Sequence, residues 1–193
     1  MIRAAGSLAL VAAAAVAITG CAHGFGSRTE KSDMTQHVPV DTTLTEERAR
    51  QRIVEILTDT LRRLPAAIAL TWQHPHFPDT VFGDATVVPC VDDDSAPDPP
   101  YNAAADYWIS GMPGDGAAHY RDLFERAWRD LGWRPLRDER DPGMPQLRAG
   151  TPDVYLLTLT QNSRGDLALS VSSPCFPNHA RGGTPMPSVI THP

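Results

Sequence analysis

A proline-containing stretch carries two histidines that could bind a metal ion. His74 and His76 are separated by one residue, and Asp79 and Asp84 follow shortly after. Imidazole nitrogens and carboxylate oxygens are ligands that suit zinc or copper. No third histidine stands at a useful spacing, so we expect a surface turn without a metal or any other cofactor. His74 and His76 would be the ligands if a metal were bound.

The chain lacks the common catalytic signatures. It contains no Gly-x-Ser-x-Gly, Ser-x-x-Lys or His-Glu-x-x-His sequence, so no residue is predicted to be catalytic and we do not expect an enzyme. The acidic run Asp92–Asp94 lacks the alternation and central glycine of a calcium-binding loop. Arg164-Gly165-Asp166 matches an adhesive tripeptide, but these residues also suit the tip of a hairpin.

Aromatic residues offer the remaining candidates for ligand contacts. Trp128 fits an apolar helical stripe and Trp108 fits a buried strand, so both are expected in the core. Trp72 and Tyr101 border irregular segments, and we therefore predict that these two side chains contact a ligand.

Composition limits the class of protein. The 193 residues suit one domain with tails, and the formal net charge of −6 argues against binding to nucleic acid. Residues 1–20 contain Arg3 and a short apolar run, which together are typical of a signal peptide. That run is too short to span a bilayer, which needs about 20 apolar residues.

The sequence Ile18-Thr19-Gly20-Cys21 has the pattern of a bacterial lipobox. A diacylglyceryl group on the thiol, with cleavage before it, would make Cys21 the lipidated first residue of the mature chain. Two or three acyl chains hold a protein at a membrane far more firmly than a single chain does. We therefore expect an anchor at the extracytoplasmic face of the cell membrane.

The mature chain divides into three parts. Residues 21–42 are predicted to be the lipidated N-terminus and a flexible linker, residues 43–176 a single α+β domain, and residues 177–193 a Pro/Gly-rich tail. Apolar spacing predicts a helix from a capping box at Thr43 to Pro65, and a second over 117–131 that ends at Gly132. Strand-like segments occur at 68–72, 81–88, 101–111, 133–137, 154–161 and 167–173.

Two cysteines remain once Cys21 is assigned to the anchor. An even pair outside the cytoplasm favours a disulfide, so we predict a bond between Cys90 and Cys175. The order of helices and strands predicts a two-layer α+β sandwich, in which an antiparallel sheet carries two amphipathic helices on one face and one disulfide closes the fold.

With these features the chain resembles the small exported lipoproteins of mycobacteria and related actinobacteria of the LppA type. The resemblance rests on the lipobox at Cys21, on Cys90, on the helix over 120–131 and on the late hairpin that ends in Pro174-Cys175-Phe176. It implies a cell-envelope location and no particular activity.

These observations favour a membrane-anchored, non-catalytic accessory module that binds an envelope protein or a ligand. The alternatives are a carrier that holds a small molecule or lipid in a cavity between sheet and helices, and a small hydrolase. A carrier would need more apolar interior positions than two packed layers can fill. A hydrolase would need a carboxylate pair in a cleft.

The lipid anchor generates a direct prediction. Cys21→Ala removes the thiol that carries the lipid, so the protein should move from the membrane fraction to the soluble fraction, whereas Ser27→Ala should leave it in the membrane. Fractionation followed by a carbonate wash measures this distribution. Retention of Cys21→Ala in the washed membranes would contradict the predicted anchor.

Overall fold

The computed structural model describes residues 39–91, 96–112, 116–138, 140–141 and 143–193. The predicted signal peptide, Cys21 and the acidic run Asp92–Asp94 lie outside these ranges. The elements are α1 (Glu46–Leu61), β1 (Ala69–Thr71), β2 (Thr86–Pro89), β3 (Tyr101–Ser110), α2 (Gly116–Asp130), β4 (Leu136–Asp138), β5 (Gln146–Gly150), β6 (Leu156–Gln161), β7 (Leu167–Ser172), a short 3₁₀ helix (Asn178–Ala180) and β8 (Val189–Ile190). Within the described ranges, no helix has the length and apolar character to cross a membrane.

The eight strands form one antiparallel sheet in the order β4-β5-β6-β7-β3-β1-β8, with β2 also pairing with β3. Along one edge of β3, β2 pairs with residues 101–104 and β1 with residues 108–110. The segment between β1 and β2 must therefore leave the sheet and return to it. With the two helices, this architecture confirms the predicted α+β sandwich.

The alternation of side chains along β3 separates the two faces of the sheet. Ala103, Ala105, Tyr107 and Ile109 are buried, while the residues between them are only partly buried. The helices cover the buried face, and the indole N–H of Trp128 in α2 donates to the hydroxyl of Thr60 in α1. The helices bury Ala49, Ile53, Ile56, Leu57 and Leu61 from α1, and Tyr120, Phe124, Ala127 and Trp128 from α2.

Helix α1 begins two residues later than its predicted capping box. Thr45, rather than Thr43, is the N-cap, and its hydroxyl accepts the N–H of Arg48 at 3.3 Å. Thr43 instead donates its N–H and its hydroxyl to Asp41, because it belongs to the turn before the helix. Gly132 ends α2 with φ +79°, a conformation that favours glycine, as predicted.

One strand, β5, lies outside the strand-like segments predicted from the sequence. The stretch containing Pro142, Gly143, Pro145 and Gly150 includes β5, which pairs with both β4 and β6. Its proline and glycine residues lie before the strand or at its last position, and so they do not interrupt the ladder.

The predicted disulfide is present. Cys90 and Cys175 are bonded with their Cα atoms 6.3 Å apart, and they are separated by 85 residues in the chain. The bond links the segment after β2 to the segment after β7. In the chain-entropy account, closing a loop of this length stabilises the fold by about 4 kcal/mol.

Residues outside the predicted domain boundaries at 43 and 176 also take part in the fold. Val40 forms a β-bridge with Cys175, so the chain is already part of the fold at the end of the predicted linker. The C-terminal segment, residues 177–193, contributes β8, which pairs with β1 through Ile190 and Leu70. The many prolines and glycines of this segment give no strand pattern in the sequence, and only two of its residues form a strand.

Carboxylates on distant elements hold the backbone of the C-terminal segment. Glu46 accepts the N–H of Gly182 at 2.7 Å, and Asp84 accepts that of Met186 at 2.9 Å. Both carboxylates also contact the buried Arg50, at 2.7 and 2.8 Å. Burial disfavours the charge of Asp84, but the N–H of Met186 and the Arg50 guanidinium outweigh it, so the pKa of Asp84 lies below its ordinary value.

The C-terminal segment also closes over β1 and β3. Ser188 accepts the N–H of Trp72 at 2.9 Å, and the hydroxyl of Tyr107 donates to the carbonyl of Pro187 at 2.7 Å. Burial raises the pKa of Tyr107 to about 12, since the phenolate would lose its hydration. The segment is therefore an integral part of the domain.

Neighbouring residues of β8 allow a test of this role. Ile190 is 7% exposed and Val189 is 52% exposed. Ile190→Ala should lower the free energy of unfolding by about 2–3 kcal/mol because it leaves a cavity beside Leu70. Val189→Ala should change it by less than about 0.5 kcal/mol. Urea unfolding measures both values, and an equally small effect of the two variants would show that the segment is not part of the core.

Candidate functional site

The segment between β1 and β2 lies over the face of the sheet opposite the helices. Phe82 stacks on Trp108 with ring centroids 4.7 Å apart, and Gln73 forms a bridge with Val81 at the base of the segment. The prediction that Trp108 belongs to the core is wrong. Tyr107 and Ile109 point toward the helices, so the alternation of β3 places Trp108 on the other face.

His74 is the best fixed side chain of this region. It is 4% exposed and packs edge-on against Trp108, with the ring centroids 4.3 Å apart. Its Nδ1 accepts the backbone N–H of His76 at 3.0 Å and that of Phe77 at 3.1 Å. Its Nε2 lies 3.4 Å from an oxygen of Asp166. Because Nδ1 is an acceptor, the proton of the neutral ring is on Nε2 and faces Asp166.

This arrangement differs from that of a catalytic histidine. A general base needs one ring nitrogen free to take a proton from a nucleophile while the carboxylate orients the other nitrogen. Here the backbone occupies Nδ1 and Asp166 faces Nε2. Ser163 lines the same surface cavity as His74. Both ring nitrogens of His74 already have partners, so His74 cannot take the proton of the Ser163 hydroxyl.

The same contacts oppose a metal site at the predicted histidine pair. The rings of His74 and His76 are 6.0 Å apart, and neither nitrogen of His74 has a free lone pair directed at a shared ligand position. Among the described residues, no three His, Cys, Asp or Glu side chains form a group that could hold a metal ion.

The tip of the β6–β7 hairpin supplies the other wall of the site. Asn162 Oδ1 accepts the backbone N–H groups of Arg164 and Asp166 at 2.9 and 3.0 Å, and its Nδ2 donates to Asp166 Oδ2 at 3.0 Å. Asp166 is therefore turned inward and is 9% exposed. Gly165 adopts φ +87°, a left-handed conformation that a glycine readily takes. The Arg-Gly-Asp tripeptide is a structural turn in which only the arginine projects outward.

Arg164 lies across the site. Its guanidinium is 4.7 Å from the ring centroid of Phe77, which is itself 41% exposed. A cation over an aromatic face is favoured electrostatically by about 0.5–1 kcal/mol at an exposed position. No carboxylate lies within ion-pair distance of this guanidinium among the described residues.

Three surface cavities adjoin one another here. The first, about 240 Å³, lies between His74, Trp108 and the hairpin tip. The second, about 260 Å³, shares Arg164 and Asp166 with the first and reaches the start of α2. The third, about 370 Å³, shares His76 with the second and extends along the end of β3. We call this set of cavities, with Phe77, His76 and Arg164, the distal cleft.

The two predicted ligand contacts lie elsewhere. Trp72 is partly buried against Tyr107, with ring centroids 6.4 Å apart. Tyr101 is partly buried beneath Arg181, whose guanidinium is 4.4 Å from its ring centroid. Neither residue lines the distal cleft. Of the predicted site residues, only His74 and His76 belong to it.

The sequence predicted a core position for Trp108, gave no role to Phe77, and matched Arg164 and Asp166 only to an adhesive tripeptide. The strict alternation around Trp108 was the available signal, because Tyr107 and Ile109 already filled the inward positions of the strand. Nothing local to the hairpin indicated that Asp166 would meet His74, since the two residues lie on segments that only the sheet brings together.

Comparisons with known proteins give little further information. No protein family and no curated protein matches the chain. Among solved structures, the fold is distantly similar to a DUF4853 family protein from Actinomyces odontolyticus, with a TM-score of 0.48 and 13% identity over 78% of this chain and 81% of that one.

The role of His74 can be tested by comparing it with its neighbour. His74→Phe keeps an aromatic ring but removes the acceptor of two N–H groups, so it should lower the free energy of unfolding by about 1–3 kcal/mol. His76→Phe, at an exposed position, should change it by less than about 0.5 kcal/mol. Equal unfolding midpoints in urea would mean that the Nδ1 contacts do not stabilise the fold.

Proposed function

We propose that this protein is a lipoprotein of the cell envelope that binds a partner protein without catalysis. Cys21 anchors it at the extracytoplasmic face of the cell membrane, and the distal cleft contacts the partner. The lipobox, the disulfide and the resemblance to LppA-type lipoproteins support the location. The geometry of the cleft supports binding.

The proposal rests mainly on the structure of the distal cleft. Hydrogen bonds fix the base of the cleft, and an arginine and a phenylalanine side chain project above it. His74 and Asp166 fix the base through hydrogen bonds, and Trp108 packs beneath them. Above it, Arg164 has no ionic partner among the described residues and lies on an exposed phenylalanine. Arginine and aromatic side chains that are held in place before binding are typical of the energetic centres of protein interfaces.

The shape and charge of the cleft favour one class of partner. Its cavities of about 240–370 Å³ are open at the surface and small beside most enclosed ligand sites, which measure about 300–1,000 Å³. Side chains of a protein partner fit such depressions. The guanidinium of Arg164 favours a partner that presents a carboxylate there.

The carrier and hydrolase alternatives have less support. Trp128, Phe124 and Ile53, each fully buried, fill the space between the helices and the sheet, which a carrier would need to keep open. The nitrogens of His74 are engaged in ways that do not allow proton transfer to a nucleophile. Binding is the activity that this geometry serves best.

Photocrosslinking in the native envelope tests the proposal. A benzoylphenylalanine at position 77 replaces an exposed aromatic ring and should give one dominant protein adduct. The same group at Glu55, whose side chain is 63% exposed on α1, is the matched control and should not give that adduct. Mass spectrometry of the adduct identifies the partner.

Two arginine-to-glutamine variants, one at Arg164 and one control, test the role of Arg164. Arg164→Gln should reduce the adduct yield by about tenfold, which corresponds to the loss of one charge-assisted contact. Arg134→Gln removes an exposed arginine elsewhere and should have no effect. Identical adducts from positions 77 and 55, or an adduct insensitive to Arg164→Gln, would contradict binding at the distal cleft.

A further inference from the structure

Val154 has an unusual backbone conformation for its residue type. Its φ is +67°, and it is the one non-glycine residue with a positive φ among those described. A β-branched residue is a marked outlier in this region, where glycine or asparagine would be unstrained. Its side chain is also 68% exposed, so burial in this chain does not compensate for the strain.

Two further exposed apolar side chains lie at the starts of strands β6 and β4. Leu156 begins β6 and is 61% exposed, and Leu136 begins β4 and is 68% exposed. The register places both leucines on the face opposite the helices, with Gly150 of β5 paired to Leu156. Because Gly150 has no side chain, Leu156 lies over it, with Cδ2 4.0 Å from where a Cβ would be. We call Val154, Leu156 and Leu136 the apolar rim.

The apolar rim lies where the chain enters from its anchor. Leu156 pairs with Ser172 near the end of β7, and Val40 bridges to Cys175 just beyond that strand. Residues 22–38 connect Val40 and its neighbours to Cys21, and at full extension they could reach about 60 Å. At that length the domain can reach a membrane at which Cys21 is anchored.

Two charged side chains near the rim form ion pairs within the domain. Asp153 pairs with Arg52 at 2.7 Å, and Arg148 lies 3.8 Å from Asp138. Pairing reduces the free-energy cost of bringing these two side chains close to a bilayer. Since the domain carries a net negative charge, anionic lipid would not attract it, and apolar contact is the interaction that remains.

We infer that the apolar rim rests on the lipid surface beside the anchor. This inference depends on the proposed lipidation of Cys21, which keeps the rim close enough for a small apolar contact to be populated. Strand β6 runs from the rim at Leu156 to Gln161 beside the hairpin tip, a distance of roughly 17 Å. The hairpin tip therefore lies at the end of β6 that is farther from the rim.

Site-directed fluorescence on the lipidated, full-length mature protein tests the inference. Val154→Cys, Leu156→Cys and Ser163→Cys each add one thiol for a bimane label, because Cys90 and Cys175 are bonded to each other. The proteins are reconstituted into vesicles of phosphatidylethanolamine and phosphatidylglycerol. Labels at 154 and 156 should shift to the blue and be quenched by nitroxide-labelled lipid, while the label at 163 should be quenched by aqueous iodide.

Sedimentation of the same vesicles separates the two proposals. Protein that sediments with equal iodide quenching at 154, 156 and 163 would overturn the orientation and leave the anchor standing. Protein that fails to sediment would overturn both.

A second variant removes the apolar contact without straining the fold. Val154→Asn tolerates a positive φ, so the domain should stay folded, and with Asn at position 154 the label at position 156 should lose at least half of its nitroxide quenching. Unchanged quenching at 156 would overturn the role of the rim.

Discussion

The register of β3 determines which side chains enter the core and which form the candidate site. This ten-residue strand pairs with β7 along one edge and with both β2 and β1 along the other. Its alternation sends Tyr107 into the core and Trp108 to the opposite face. A shift of one residue would exchange the two, because side chains alternate strictly along a strand. The core and the distal cleft are therefore set by the same pairing.

The cleft is also a consequence of how the chain uses the second edge of β3. Since β1 and β2 occupy successive parts of that edge, the segment between them has to cross the open face of the sheet. That crossing brings His74 and Phe82 onto Trp108. The hydrogen bonds of His74 then fix the turn that carries Phe77. A histidine that suggests a metal ligand in the sequence serves here as a hydrogen-bond acceptor for the backbone.

The two ends of the sheet have different characters. At one end, polar groups around Arg164 and His76 surround open cavities. At the other, Val154 and Leu156 are exposed near the point where the chain enters the domain. If the membrane lies at the second end, the first is presented to the envelope. The proposed anchor, orientation and binding surface are thus consistent with one another.

Elements that follow from local patterns were predictable from the amino-acid sequence. Apolar spacing marked both helices, apolar and β-branched content marked β3 and the late hairpin, and the pair Cys90 and Cys175 was evident once Cys21 was assigned to the anchor. Contacts between distant segments account for the other features. Strand β8 has two residues and no period of its own, and the C-terminal segment is held by Glu46 and Asp84 from far along the chain. His74 and Asp166 likewise meet only because pairing within the sheet brings their segments together, and no local pattern encodes a contact between residues so far apart in sequence.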